Sequence, residues 1–290
     1  MHYTEPVFRP PSEAWSLLLP VTTGCSNNRC TFCGMYMTKR FGLMDLAGIR
    51  EDVEEASAYT HCRRVFLLDG DALAAPEDFL ADVLAMIRER MPWVERVGTY
   101  GDAHAIIAKG ETGMRRLAGL GLGIVYHGLE SGSQTVLEAV RKPLSRDEMG
   151  AAGRVMRASG VKYSVMALLG LGGEALSEEH ARDTGAALTL MDPDYVGLLT
   201  LMLVPGTTLA RRYDRGEFAL PDRAGMLREL RAILAGRTLT RARFSANHAS
   251  NYLPLTGDLP ADRDRLLALI DRIIATGDDS CLRPEWRRGL

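Results

Sequence analysis

The sequence predicts an α/β fold, an incomplete TIM-like (βα)6 barrel followed by a helical carboxyl-terminal extension. Short apolar segments alternate with amphipathic segments, and each apolar segment is followed by a loop rich in glycine or polar residues. Strict alternation of strands and helices favours parallel strands with right-handed crossovers. The six strand–helix units are fewer than the eight of a closed barrel, and a doubly wound sheet is the alternative closure.

Six strands are predicted from short apolar segments. The first, SLLLPV, leads into a loop with three cysteines, and the second, VFLL, stops at an Asp-Gly-Asp turn. In parallel β/α folds, functional groups gather in the loops after the carboxyl ends of the strands. The predicted strands cover residues 16–21, 65–68, 94–100, 123–129, 163–169 and 196–203.

Helices are predicted where apolar residues recur at intervals of three and four, the spacing of a helix with one buried face. Within the repeat they cover residues 43–56, 79–87, 133–140, 145–159 and 177–190, and another follows the third strand and reaches residue 117. Two more lie at 226–234 and 263–275. This pattern divides the chain into an amino-terminal extension (1–15), a core barrel (16–205) and a helical extension covering the barrel (206–290).

Composition excludes several classes of protein. The chain has 290 residues, of which 35 are basic and 37 acidic, so its net charge of −2 argues against a general nucleic-acid binder. No apolar segment has the length of a membrane helix, and the first residues lack the basic-then-apolar order of a secretory signal. We therefore expect a cytoplasmic protein.

The sharpest feature is a cluster of three cysteines, Cys25, Cys30 and Cys33, among five in the chain. An odd number of cysteines in a reducing compartment disfavours a disulfide framework. Thiolates are soft ligands that prefer zinc, copper(I) or iron–sulfur clusters. A structural zinc site needs a fourth ligand, which would have to be His61, Cys62 or another distant group.

The spacing also matches a plant-type [2Fe–2S] site, C-x4-C-x2-C with a distant fourth cysteine. Cys62 would be that fourth ligand, but it precedes the second predicted strand, whereas the cysteine loop follows the first. A strand of six residues at about 3.3 Å each separates the two ends by roughly 20 Å. The remaining alternative is a [4Fe–4S] cluster held by three cysteines, which leaves one iron open.

The cysteine loop resembles that of the radical S-adenosylmethionine (radical SAM) superfamily, through the three cysteines and the aromatic Phe32 before the last of them. The later loops match in order, so the resemblance covers residues 16–204. It is strongest to small members of the coproporphyrinogen-oxidase-like and Elongator-like branch. The family's usual spacing is C-x3-C-x2-C, and this chain carries one extra residue between Cys25 and Cys30.

The resemblance implies an oxidoreductase-like enzyme with a [4Fe–4S] cluster and S-adenosylmethionine as cofactors. Reductive cleavage of S-adenosylmethionine would yield a 5′-deoxyadenosyl radical that abstracts hydrogen from the substrate. We expect a small-molecule substrate, an electron donor such as flavodoxin or ferredoxin, and no membrane or nucleic-acid partner. The alternatives are a [2Fe–2S] ferredoxin-like electron carrier and an RNA-modifying radical SAM enzyme.

The resemblance also assigns residues to the cofactor. The loop after the second strand contacts the methionine amino group, and the loop after the fourth contacts the ribose or the amino acid part. In the family, a cation one helix later binds the carboxylate of the cofactor. The aromatic residue before the last cysteine and a glycine-rich loop after the fifth strand lie beside its adenine. The residues so assigned are Phe32, Gly70, Asp71, Glu130, Ser131, Ser133, Arg141, Lys142, Gly170 and Gly172.

Several of these residues have a purely structural alternative. Gly70 fits a tight turn, and Ser133 fits the cap of the following helix. One of Arg141 and Lys142 fits a solvated surface cation.

The motifs do not identify the catalytic residues, for which three candidates remain. Tyr100 and His104 follow the third strand and are candidates to face the substrate. His248 lies in the polar segment NHASNY, outside the repeat. This segment either covers the barrel mouth and excludes water, or forms a self-bonded turn that packs the last helix.

Overall fold

The computed structural model describes residues 1–236 and 239–289. Its main sheet has eight strands in the order β1-β4-β5-β6-β7-β8-β9-β10, and β2 and β3 form a separate antiparallel pair. The strands are β1 (Leu17–Pro20), β2 (Thr22–Thr23), β3 (Gly42–Leu43), β4 (Arg64–Leu68), β5 (Arg96–Tyr100), β6 (Leu122–Glu130), β7 (Lys162–Leu169), β8 (Tyr195–Thr200), β9 (Ala242–Ser245) and β10 (Thr256–Leu259).

Nine α-helices are found within these described residues, and six of them follow strands of the repeat. They are α1 (Leu46–Ala56), α2 (Glu77–Arg90), α3 (Ala103–Gly119), α4 (Gln134–Ala139), α5 (Arg146–Ser159), α6 (Ser177–Met191), α7 (Thr208–Asp214), α8 (Arg223–Ala235) and α9 (Arg263–Thr276). The mostly parallel sheet with an open strand order confirms the predicted α/β fold class, an incomplete barrel. None of the helices described is both long and apolar enough to cross a membrane.

The chain divides into two compact units, each discontinuous in sequence. The first unit comprises Met1–Asn28, Met35–His127 and Arg154–Tyr163. The second comprises Arg29–Gly34, Gly128–Gly153 and Ser164–Leu290.

The first unit is built on parallel strands with an aromatic core. β1 pairs with β4, and β4 pairs with β5, both in parallel. The fully buried Phe66 contacts the ring edges of Tyr100 and Tyr126, with centroids 5.1 and 5.9 Å away. Glu13 is buried beneath this core, where it accepts hydrogen bonds from Tyr126 (2.5 Å) and Arg96. Through these two bonds, Glu13 ties the segment before β1 to Arg96 of β5 and Tyr126 of β6.

The second unit continues the sheet beyond the predicted repeat. β7, β8 and β9 are parallel, and β10 pairs with β9 in the antiparallel sense. The carboxyl-terminal extension is therefore only partly helical: it also contains β9 and β10. The sequence did not predict these strands because each has four residues of mixed polarity, such as TGDL in β10, too short for a visible alternation.

Candidate functional site

In the first unit, three loops meet at the carboxyl ends of the strands. The amide of Gly70, in the loop after β4, donates to the carbonyl of Gly24, 2.9 Å away in the loop after β1. The Asp71 carboxylate accepts from Ser26 Oγ and from the amide of Asp102, the latter at 3.1 Å. Asp71 thus joins the loop beginning the cysteine motif to the loops after β4 and β5.

Gly70 is required by close packing. A Cβ at this position would overlap the ring of Tyr36, which is 4% exposed and lies directly on the Gly70 backbone. The glycine therefore has a structural cause within the first unit. This packing is a structural cause other than the tight turn expected from the sequence, and the assignment of Gly70 to the cofactor stays a prediction.

The three cysteines of the motif are all half-buried, and none of the five cysteines forms a disulfide. In the second unit, the amide of Cys33 donates to the carbonyl of Cys30 at 3.2 Å. No three Cys, His, Asp or Glu side chains of residues 1–236 and 239–289 converge as ligands of one metal ion. A cubane takes each thiolate on a different iron, so three thiols within nine residues fit a [4Fe–4S] cluster better than a zinc ion.

Cys62 and Cys25 lie at opposite ends of two paired strands. β1 and β4 are parallel, with Leu17 opposite Val65 and Pro20 opposite Leu68. Cys25 comes after the carboxyl end of β1, and Cys62 comes before the amino end of β4. This arrangement supports the sequence argument against a [2Fe–2S] site that uses Cys62.

The part of the cysteine loop in the second unit rests on an apolar cluster. Phe32 is partly buried against Val136, Val140, Leu171, Leu201 and Leu209. The Thr31 amide donates to Val140 at the end of α4, and the Thr31 carbonyl accepts from Leu209 at the start of α7, at 2.9 and 2.8 Å. Cys30 and Cys33 are therefore held on either side of an anchored Thr31–Phe32 pair.

Ser131 and Ser133, after β6, both have protein partners. Ser133 caps α4 by accepting from the Val136 amide at 3.2 Å, as its structural alternative requires, and donates to Glu179 at 2.6 Å. Ser131 Oγ lies 2.8 Å from Nδ1 of the buried His180. His180 Nε2 donates to the Leu168 carbonyl at 2.8 Å, so Ser131 donates to Nδ1. Burial lowers the pKa of His180 to about 4.

Glu130 and Lys142 form a pair in the same region. Glu130 Oε1 and Lys142 Nζ are 3.7 Å apart, and both side chains are largely buried. Burial raises the pKa of Glu130, and the Lys142 ammonium counteracts that shift. Arg141 is exposed. Lys142 is therefore the better placed of the two predicted cations to act within this loop.

The glycine-rich loop after β7 is held by a carboxylate that sequence reasoning missed. Gly170 has a φ of +83°, and its amide donates to Glu229 Oε2 at 2.6 Å. Glu229 Oε1 accepts from Ser177 Oγ, also at 2.6 Å. Burial raises the pKa of Glu229 to about 7. Gly172 packs against His180 and Leu176. Glu229 lies in α8, where no motif marks it.

The three catalytic candidates differ in their surroundings. The half-buried Tyr100 packs in the aromatic core, while His104 is exposed with Nδ1 3.4 Å from Asp102 Oδ2. His248 Nδ1, in the second unit, accepts from the Ser250 amide at 3.2 Å. Burial and the nearby Arg283 charge lower the pKa of His248. Both effects favour the neutral form of the ring.

The NHASNY segment is tied to the carboxyl end of β8. Asn251 is buried, donates to the carbonyls of Leu198 and Ala246 at 2.7 and 2.9 Å, and accepts from Thr200 Oγ1 at 2.8 Å. Ser250 Oγ accepts from the Thr200 amide at 3.1 Å. These bonds hold the segment on the strand end, beside the edge where the functional loops of a parallel sheet gather.

Comparison with known proteins finds one family and many related folds. The model of the Radical SAM superfamily matches residues 19–184, more than half of the chain. No curated protein matches the sequence.

Three of the similar solved structures illustrate the range of relatives. The radical S-adenosylmethionine methyltransferase TsrM from Kitasatospora setae, with tryptophan and a SAM analogue bound, is 20% identical over 69% of this chain and 39% of its own, with a TM-score of 0.56. Coproporphyrinogen III oxidase HemN from Escherichia coli is 14% identical over 76% of this chain and 51% of its own, with a TM-score of 0.56. Elp3 from Methanocaldococcus infernus is 14% identical over 92% of this chain and 64% of its own, with a TM-score of 0.53.

The chain spans 39% to 64% of the length of these three proteins. At identities of 20% or less, the likeness shows a shared fold. One of the three is a methyltransferase and another an oxidase, so the shared fold does not select one reaction.

Proposed function

The chain belongs to the radical SAM superfamily, and on that premise we propose that Cys25, Cys30 and Cys33 hold a [4Fe–4S] cluster with one iron open to S-adenosylmethionine. The cofactors are those of the family, a [4Fe–4S] cluster and S-adenosylmethionine. When bound and reduced, the cluster would supply one electron to S-adenosylmethionine, whose sulfonium carbon–sulfur bond would break to give methionine and a 5′-deoxyadenosyl radical able to take hydrogen from the substrate.

One observation carries the proposal. Three cysteines within nine residues follow β1, inside the region that matches the family, and none is in a disulfide. Cys62, the candidate for a fourth thiolate, precedes the opposite end of the neighbouring strand and is therefore not near Cys25. A cluster with one open iron needs such a set of three, whereas an electron carrier needs four ligands.

We assign the cofactor contacts to the loops after β4, β6 and β7. Asp71 and the Gly70 backbone are candidates for the amino group, and Lys142 is the candidate for the carboxylate. Glu130 is the candidate for a hydroxyl group, and Gly170 with Gly172 offers backbone to the adenine. Ser131 and Ser133 act by shaping their loop, because their hydroxyl groups already bind His180 and Glu179.

Residues 16–205 form the proposed catalytic core, and residues 206–290 the extension. Within the second unit, the extension reaches the loop after β7 through Glu229 and the end of β8 through Asn251. These contacts support its predicted position near the carboxyl edge of those strands. The segment around His248 is then a candidate to exclude water from the reaction.

The proposed reaction is hydrogen abstraction from a small molecule, in an oxidoreductase-like enzyme that receives electrons from a flavodoxin or ferredoxin. The net charge of −2 argues against an RNA substrate. We expect the protein in the cytoplasm, where thiols remain reduced.

Iron and sulfide analysis of the anaerobically reconstituted protein tests this proposal. We expect about four irons per chain, lost in Cys30→Ala and retained in Cys62→Ala. The dithionite-reduced protein should release 5′-deoxyadenosine from S-adenosylmethionine. About two irons per chain, with Cys62 essential for holding them, would instead identify an electron carrier. A four-iron protein that releases no 5′-deoxyadenosine would contradict the proposed cleavage of S-adenosylmethionine.

A further inference from the structure

The cluster loop, residues 24–40, is closed at its base by one buried carboxylate of the first unit. Asp69 Oδ2 accepts from the Gly24 amide at 3.1 Å and from Lys39 Nζ at 2.7 Å. The side chains of Lys39 and Asp69 are 3% and 4% exposed. One oxygen atom therefore binds both ends of the loop, on either side of the three cysteines.

Asp69 is itself fixed to the sheet. Its amide donates to Thr22 Oγ1 at 2.9 Å, and Thr22 Oγ1 donates to the Leu68 carbonyl at 3.2 Å. The next residue, Gly70, donates to the Gly24 carbonyl at 2.9 Å. Gly24 is thus bonded through both its amide and its carbonyl to the end of β4, directly before Cys25.

Lys39 also has a second buried partner. Its ammonium donates to the Pro6 carbonyl at 2.7 Å. Inside the loop, Asn28 Nδ2 donates to the carbonyls of Tyr36 and Lys39, at 3.0 and 2.8 Å. All these residues lie in the first unit, so the end of the loop is fastened at several points around Lys39.

A buried ion pair is an uncommon way to gain stability. The cost of removing both charges from water offsets most of their attraction, and apolar replacement of both partners is often neutral. Directional hydrogen bonds to a charge nevertheless fix a geometry that apolar packing leaves adjustable.

We propose that Asp69 is a positioning residue for the cluster: with Lys39, it holds the two ends of the cysteine loop together so that Cys25 is in place before iron binds. We call the bonds from Asp69 to Gly24 and Lys39 the clamp. This inference rests on the proposed function, because only an iron–sulfur cluster at the cysteines gives the clamp something to position. Asp69 acts through Gly24 and Lys39 and is not itself assigned to a reacting atom. One prediction is that the clamp exists in the metal-free protein.

Hydrogen exchange of the metal-free wild-type protein tests that prediction without a substitution. The Gly24 amide should exchange as slowly as amides of β4, because it is buried and bonded to Asp69. Exchange at the rate of an exposed loop amide would overturn the clamp. This readout does not depend on whether the protein assembles a four-iron cluster.

Iron release tests the effect on the cluster. The double variant Asp69→Asn/Lys39→Met removes both charges and leaves no unpaired one, so we expect it to fold. Under anaerobic conditions, we expect it to lose iron to a chelator at least tenfold faster than the wild type. The single variant Lys39→Arg keeps the positive charge beside the native Asp69. It should therefore release iron more slowly than the double variant.

The matched control is Arg63→Met/Glu95→Gln, which removes an exposed ion pair of the same unit and should leave iron release unchanged. Equal iron release from the clamp variant and the wild type, with Cys30→Ala unable to hold iron, would overturn the clamp and leave the proposed function standing. Failure of the wild-type protein to assemble four irons would overturn the proposed function, while hydrogen exchange at Gly24 still decides whether the clamp exists.

Discussion

His180 Nε2 lies 3.9 Å from Glu229 Oε2 in the interior of the second unit, where both residues are excluded from solvent. The two residues connect two loops: His180 binds Ser131, after β6, and Glu229 binds the Gly170 amide, after β7. Burial disfavours the charged form of each, so the pKa of His180 falls to about 4 and that of Glu229 rises to about 7. The pair is uncharged between these values.

The free energy of unfolding should therefore show two opposing pH dependences. His180 has a folded pKa below its ordinary 6.5, so its contribution to stability is lost as pH falls from about 6.5 to about 4. Glu229 has a folded pKa above its ordinary 4.5, so its contribution is lost as pH rises from about 4.5 to about 7. Each shift corresponds to roughly 3 kcal/mol.

Glu229→Gln should unmask the His180 dependence. Relative to wild type, we expect its free energy of unfolding to increase by roughly 3 kcal/mol between pH 4.5 and 7, because only the wild type loses stability as Glu229 ionises. His180→Asn should show the reverse trend between pH 4 and 6.5. Urea denaturation at each pH measures both, and parallel curves for the three proteins would show that neither group has a shifted pKa.

Asn251→Ala should destabilise the second unit by about 2–4 kcal/mol, because Leu198, Ala246 and Thr200 each lose a buried hydrogen-bond partner. Asn247→Ala is the matched control, since Asn247 is exposed and its substitution should cost less than about 0.5 kcal/mol. Chemical denaturation gives both values. A similar small loss for the two variants would mean that the segment is not anchored through Asn251.

Gly70→Ala should cost about 1–3 kcal/mol, because the added methyl group overlaps the ring of the buried Tyr36. Gly48→Ala is the opposite case: within the described structure a Cβ there meets nothing within 4 Å, and its site in α1 favours alanine by about 0.5–1 kcal/mol. Thermal unfolding without cofactor compares them. A Gly70→Ala protein as stable as wild type would leave cofactor contact as the better reason for this glycine.

The elements of the repeat were predictable because their signals are local. The six apolar segments became β1 and β4 to β8, and α3 begins after Asp102, whose carboxylate caps the helix by accepting from the Ala105 amide at 2.8 Å. β9 and β10 were not predicted, since four residues contain too few alternations to show a period. The helix α7 was missed for the same reason, with seven residues and little apolar spacing.

The sequence by itself determined the parallel α/β fold and the three-cysteine motif. Strand-forming segments, helical spacing and the C-x4-C-x2-C interval each depend only on residues that are close together in the sequence. Only the tertiary structure revealed that Asp69 binds Lys39, 30 residues earlier, and that Glu229 binds Gly170, 59 residues away. The partner of a buried polar group depends on which segments pack together and exclude water from it. Nothing in the residues beside Asp69 or Glu229 specifies that choice.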